Sequence, residues 1–444
     1  MKSSWFMNAA IPARRLAWVS AGALLMSSSV AFSATDLRVW HSLNGYNLEV
    51  FESMVKSFNR SQDQVQIRLK GFDSEDAVEA ALLATKTAQE RPHLVQMDDD
   101  RSPEAVARRP YMQPLYALLE KHPIKDAKWF VSEQNSFARD SRGRLLAFPY
   151  MLEVPVMYYN IDAFKKANIT PPAPDRVWSN LQAQLVTLAN NGSRQCPLTS
   201  DQSVSVNLEN LAAVNNQLFL TEPVPAKGKN AKPTEFSFDS LYIRHLSTMI
   251  SWVKSEIMVR PDQDSLAAKR FANKECAVLI SASSNLGWFK DSRGLDFALT
   301  GLPYYPEVTK TPGSPFVGGT ALWATSGHTK DVDAAMARFL GWLAQPDNAA
   351  AWFQKTGYLP LTQQAFAATP ASYYKNLGSW QELVAVYARN PATNGRGFRI
   401  DNYPRIRAMF HKTLEDALNG SQPAVTALKM AADEAGKLMR QRVQ

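Results

Sequence analysis

Residues 37–71, LRVWHSLNGYNLEVFESMVKSFNRSQDQVQIRLKG, decide the class of fold. LRVWHS has the content of a strand. Phe51, Met54, Val55 and Phe58 then recur at i, i+3, i+4 and i+7, which is one face of a helix. Val65, Ile67 and Leu69 alternate, as in a strand with one buried face. The pattern continues through EAALLATKTA (79–88), a helical stretch, and HLVQM (93–97), a strand. Strands alternating with helices predict an α/β domain with a largely parallel sheet. In such sheets ligands lie outside the carboxyl ends of the strands. HSLNG, KGFDSED and DDDRS each follow one of these strands and should gather at one edge.

The third of these loops poses the functional question. In HLVQMDDDR (93–101) an apolar run ends in Asp98, Asp99 and Asp100. Carboxylates at a strand tip can bind a metal, act as acid and base, hold a polar ligand, or face water. The chain lacks an HExxH or HxH pair, and its two cysteines lack zinc spacing, which argues against a transition-metal site. DDDRS is not a calcium loop. Neither a nucleophile elbow, nor a P-loop, nor a strand-linked dinucleotide fingerprint is present. No cofactor is called for. Asp99 and Glu153 could form the carboxylate pair of a glycosidase, although any large chain offers such pairs.

At 444 residues the chain is long enough for two domains, and 45% hydrophobic residues argue against disorder. Residues 1–33 read as a signal peptide. Lys2, Arg14 and Arg15 precede an apolar run from Leu16 to Val30, and small residues at Ala31 and Ser33 place cleavage before Ala34. Without those three cations the net charge of +8 becomes only mildly positive. No Lys/Arg block interleaves with aromatics, so nucleic acid is a poor partner. Cys196 and Cys276 are the only cysteines. An even count in an exported chain favours a disulfide, with two separate buried thiols as the alternative.

Four stretches carry a resemblance: VMYYNIDAFKKANITPPAP (156–174), FANKECAVLISASSNL (271–286), FVGGTALWATSG (316–327) and FLGWLAQPDNAAAWFQKTGYLPLTQQAF (339–366). In this order, with GFRIDNYPRIR near residue 400, they resemble the family 1 extracellular solute-binding proteins of ABC importers. Within that family the similarity is greatest to the periplasmic glycerol-3-phosphate binders, over nearly all of the mature chain. The resemblance implies a two-lobed α/β fold like that of maltose-binding protein, with the ligand between lobes joined by crossing strands. It implies lobe I over 34–147 and 318–357, and lobe II over 148–317 and 358–444. It also implies a monomeric periplasmic receptor that serves an ABC permease and its ATPase, without catalysis. Cys196 and Cys276 match two cysteines of the similar binders.

The resemblance also implies a set of ligand-binding positions. Gly319, Tyr358 and Arg399 match residues that contact the ligand, with Arg399 as the anion anchor. Their plain alternatives are a tight turn, core packing and a surface ion pair. Asp99 falls where the glycerol-3-phosphate binders place a Glu that accepts from glycerol hydroxyls. Asp98 and Asp100 are then expected at the sheet edge or capping a helix near SPEAVA. Other positions depart from the pattern. Asp73 stands for a Tyr, Glu153 for a phosphate-contacting Ser, and Gln202 and Ser205 for two Trp. Ser283, within one residue, stands at a Ser position. The pocket is thus expected to be rebuilt and more acidic. Free glycerol 3-phosphate is then not the best ligand. A neutral polyol or sugar fits better, or a glycerophosphodiester. The competing readings are an exported carbohydrate-active enzyme and a receptor that signals rather than transports.

Overall fold

The computed structural model describes residues 34–131, 136–172, 176–191, 196–221, 234–261, 265–389, 399–400 and 402–441. The expected signal peptide and the Pro- and Lys-rich stretch 222–233 lie outside these residues.

The opening stretch folds as its pattern requires. β1 (Thr35–His41) pairs in parallel with β2 (Val65–Gly71) and with β3 (Leu94–Asp98). The Gly45–Ser61 helix between β1 and β2 buries Phe51, Met54, Val55 and Phe58. Each such side chain contributes about 1.5–3 kcal/mol by leaving water. The Glu75–Ala84 helix starts on Ser74, whose hydroxyl accepts from the Ala77 N–H. It stops earlier than the helical stretch ending at Ala88 suggests. Thr85 turns its hydroxyl onto the Leu82 carbonyl at 2.7 Å and closes the last turn.

The sheet continues with β4 (Met112–Gln113) and β5 (Phe148–Glu153). Phe148–Glu153, expected to open the second lobe, is hydrogen-bonded into this first sheet through β10. One residue, Val154, separates it from β6 (Pro155–Asn160), which belongs to a second sheet. That sheet runs β7 (Cys196–Ser200), β8 (Cys276–Ala282), β6, β9 (Phe297–Thr300). The chain returns to the first sheet as β10 (Gly318–Thr325), antiparallel to β3, β4 and β5. The first sheet therefore runs β2-β1-β3-β10-β4, with β5 also paired to β10.

Cys196 and Cys276 are register partners on the parallel strands β7 and β8 and form a disulfide, with 4.4 Å between their Cα atoms. The C-terminal helices Tyr403–Leu418 and Ala424–Arg440 pack on each other and on the Ser240–Lys254 helix, on the second sheet's side. Among the described residues no helix is long and apolar enough to cross a membrane.

Candidate ligand-binding cleft

Because β1, β2 and β3 are parallel, the loops at their carboxyl ends meet at one edge, where they form one wall of a cleft of about 620 Å³. Ser42, Leu43 and Asn44 follow β1, Glu75 follows β2, and Asp98, Asp99 and Asp100 end β3. Gly319 on β10 and Glu153 at the end of β5 line it from the same sheet. Gln202, Ser205, Ser284 and the Tyr403–Leu418 helix close it from the other side.

Asp99 sits at the centre and is buried. One carboxylate oxygen accepts from the Gly319 N–H at 2.9 Å, and the other from Arg407 Nη1 at 3.1 Å. Arg407 Nε lies 3.3 Å from Glu209, which is fully buried and also accepts from the Tyr403 hydroxyl. Burial works against the charge on Arg407, but Glu209, Asp99 and Asp98 outweigh it and hold the guanidinium well above its usual pKa. Gly319 has φ +98°, and a Cβ there would lie 2.2 Å from the Met151 carbonyl oxygen. Glycine thus lets β10 approach β5 and present its amide to Asp99.

The remaining acids are crowded. Asp98 accepts from the Asp99 N–H and shares a hydrogen bond with Glu75. Burial and the neighbouring carboxylates push Glu75 well up, and burial with the Asp99 charge pushes Asp98 up. Two carboxyls can hydrogen-bond to each other only when one carries a proton. Burial raises Asp100 to about 7, although Arg101 pairs with it at 2.8 Å. Burial also raises Glu153 to about 7, against hydrogen bonds from Ser284 and Gln202, the latter at 3.1 Å. Ionised, Glu153 could not donate as the Ser it replaces would; at this pKa its protonated form is available as a donor near neutrality. Gln202 reaches it from a backbone at φ +52°, a conformation that costs a non-glycine residue energy.

Tyr358 belongs both to the cleft and to the core. It stacks on Trp352 at 5.5 Å, Trp352 stacks on Tyr150 at 4.6 Å, and the Trp352 N–H donates to the Tyr150 carbonyl at 2.8 Å. Burial and the Glu153 charge push its hydroxyl up, within hydrogen-bonding reach of Ser284 and Asn47.

The structure brings Asp99, Glu153, Gln202, Ser205, Gly319 and Tyr358 to this cleft. It does not bring Asp73, Ser283 or Arg399 there. Asp73 is exposed on the loop after β2, and Glu75, two residues later, faces the cleft at the start of its helix. Ser283 is buried; its N–H donates to the Val154 carbonyl at 2.8 Å, and the cleft-lining serine is Ser284. Arg399 pairs with Glu104 and donates to the Arg139 carbonyl at 3.1 Å, while Arg407 is the guanidinium that lines the cleft. The helix at SPEAVA is capped by Ser102, not by Asp98 or Asp100. Glu75 and Arg407 are cleft residues outside the set that the resemblance implies, and each has a signal in the sequence. Glu75 lies in the KGFDSED loop. Arg407 is four residues past Tyr403, on the same helical face. Among the described residues no group of three or more His, Cys, Asp or Glu is arranged to hold a metal ion.

Residues 53–378 match the family described as bacterial extracellular solute-binding protein. The chain belongs to that family. The solute-binding protein is 29% identical over 420 residues to the sn-glycerol-3-phosphate-binding periplasmic protein UgpB of Rhizobium meliloti, covering 92% of this chain and 96% of that one. It is 30% identical over 419 residues to UgpB of Brucella abortus, covering 93% and 95%. Among solved structures, maltose-bound MalE3 of T. maritima superposes with a TM-score of 0.74 at 17% identity, over 91% of this chain and 100% of that one. UgpB of Mycobacterium tuberculosis in complex with glycerophosphocholine gives 0.72 at 17%, over 91% and 98%. The fold is that of the two-lobed, maltose-binding-protein-like receptors, and the family's place is outside the cytoplasm.

Proposed function

We propose that this protein is the periplasmic receptor of an ABC importer, that it captures a hydroxyl-rich solute with no net negative charge, and that it passes the solute to the permease as a monomer without turnover. The observation that carries the reading is the crowding of carboxyl groups in the cleft. Glu75, Asp98, Asp99, Asp100 and Glu153 line it, and Arg407, the one arginine lining it among the described residues, is already held by Asp99 and Glu209. A free phosphate would meet these acids, and the described guanidinium of the cleft is already engaged by two of the protein's own carboxylates. Hydroxyl groups suit the site, because carboxylates accept from them and a protonated Glu153 can donate to them.

In this reading Asp99 keeps its expected role as an acceptor for hydroxyl groups, and Tyr358 offers an aromatic face with its hydroxyl. Gln202 and Ser205 supply polar contacts. Division of the lobes at Val154 is part of the same proposal. Relatives named for sn-glycerol 3-phosphate, and neighbours solved with maltose or glycerophosphocholine, bracket the class of solute.

The test is calorimetry and thermal shift on the mature protein with glycerol 3-phosphate, glycerophosphocholine and linear oligosaccharides. A solute at 100 times its dissociation constant should stabilise the fold by about 2.7 kcal/mol. An oligosaccharide or the diester is expected to bind more tightly than glycerol 3-phosphate, with no product released. Tighter binding of glycerol 3-phosphate, unimproved by Glu153→Ser, would overturn the account of the acidic cleft.

A further inference from the structure

The Tyr403–Leu418 helix lines more than the cleft just described. Arg407, Ala408 and His411 face that cleft, and His411, Glu415 and Leu418 face a second cavity of about 350 Å³. Asn419, the residue that ends the helix, lines the second cavity too. The spacing of three to four residues keeps all these positions on one helical face. Ser203 and His411 line both cavities, so the two are contiguous. From Pro404, at the near end, to Asn419 the helix rises about 22 Å. That is a trough, not an isolated pocket.

The chemistry changes along this trough. Its first part is acidic. Among the described residues its second part carries one Arg and one Glu, Arg260 and Glu415, with Asn419, Ser203 and His411 as hydrogen-bonding groups and Leu418 and Pro261 as apolar surface. Opposite charges in equal number do not select a charged ligand. Mixed hydrogen-bonding groups beside apolar surface suit the hydroxyls and ring faces of a sugar.

We propose that this second cavity is a subsite for the distal units of an elongated, uncharged oligosaccharide whose first units occupy the main cleft. The proposal rests on the reading of the protein as a receptor for a hydroxyl-rich solute. It names Arg260 and Asn419 as length-determining residues. The helix positions both subsites, so a longer chain is recognised without a second domain.

The test is isothermal titration of the full mature protein with linear α- and β-linked glucans from the disaccharide to the hexasaccharide. Affinity should rise by about tenfold or more between disaccharide and tetrasaccharide. Asn419→Trp, which fills the second cavity from the end of the helix, should abolish that gain and leave disaccharide binding unchanged. Arg260→Trp fills it from the opposite wall and serves if the first variant is unstable. Equal affinity for short and long glucans in the wild type overturns the proposal, as does equal weakening of both lengths by the variants. Binding of glycerophosphocholine with no glucan bound overturns the subsite and leaves the receptor reading intact. Failure of every probe overturns both.

Discussion

Asp99 and Arg407 meet at 3.1 Å, one from the tip of a strand in the first sheet and the other from a helix packed on the second sheet's side. The side chain of Asp99 is 4% exposed and that of Glu209, the other partner of Arg407, is 0% exposed. One guanidinium thus pairs with two buried carboxylates and ties the two walls of the cleft.

Removing that guanidinium takes a cationic partner from both acids. Arg407→Ala is expected to destabilise the protein by about 3–5 kcal/mol, the cost of leaving a buried charge without its partner. Arg399→Ala, at a partly exposed pair with Glu104, should cost no more than about 1 kcal/mol. Urea unfolding of both variants checks the contrast. Equal losses would mean that the Arg407 network is not the stronger tie.

Glu153 makes stability depend on pH in an unusual direction. Its pKa is raised by burial from 4.5 to about 7, so the folded protein keeps a proton that the unfolded chain releases. The contribution of this group is fully present below about pH 4.5 and is lost as pH rises towards 7. Unfolding midpoints of the ligand-free protein should fall across that window relative to Glu153→Gln, which does not titrate there. Parallel curves for the two proteins would refute it.

Tyr358 separates packing from polarity. Tyr358→Ala removes the outer ring of the Tyr150–Trp352–Tyr358 stack and should cost about 3 kcal/mol. Tyr358→Phe keeps the stack, so it should hold most of the stability while weakening a hydroxylated solute. Paired melting and titration experiments distinguish these effects; equal stability loss in both variants would assign the residue's structural role to its hydroxyl.

The disulfide closes a sequence separation of 80 residues between neighbouring strands. Cys196→Ser with Cys276→Ser should cost about 4 kcal/mol in the chain-entropy model. Intact mass after alkylation, with and without reductant, reports whether the bond forms in the exported protein. Two thiols alkylated without reduction would contradict it.

Elements whose side chains repeat in step with the backbone were legible before any fold was known. Phe51, Met54, Val55 and Phe58 could only share a face as a helix, and the parallel order of the first three strands put their loops at one edge. The sequence also held enough motif to mark the family. Asp99, Glu153 and Tyr358 were legible because each lies at or beside a strand end or a quoted motif, where the backbone direction is already known. What the tertiary structure decided was which neighbour turns inward. Arg399 and Arg407 lie eight residues apart in one motif, and helical spacing puts Arg407 on the face of Tyr403 without saying what that face meets. Arg399 precedes the helix and meets Glu104; Arg407 sits one turn past Tyr403 on the face that the helix turns toward Asp99 and Glu209. Likewise Ser283 and Ser284 exchange roles by a single step of the backbone, since the first bonds to Val154 and the second reaches the cleft. The physical reason is the same in each case. Periodicity fixes a side chain's direction relative to its own element, but the burial and charge it meets depend on elements hundreds of residues away.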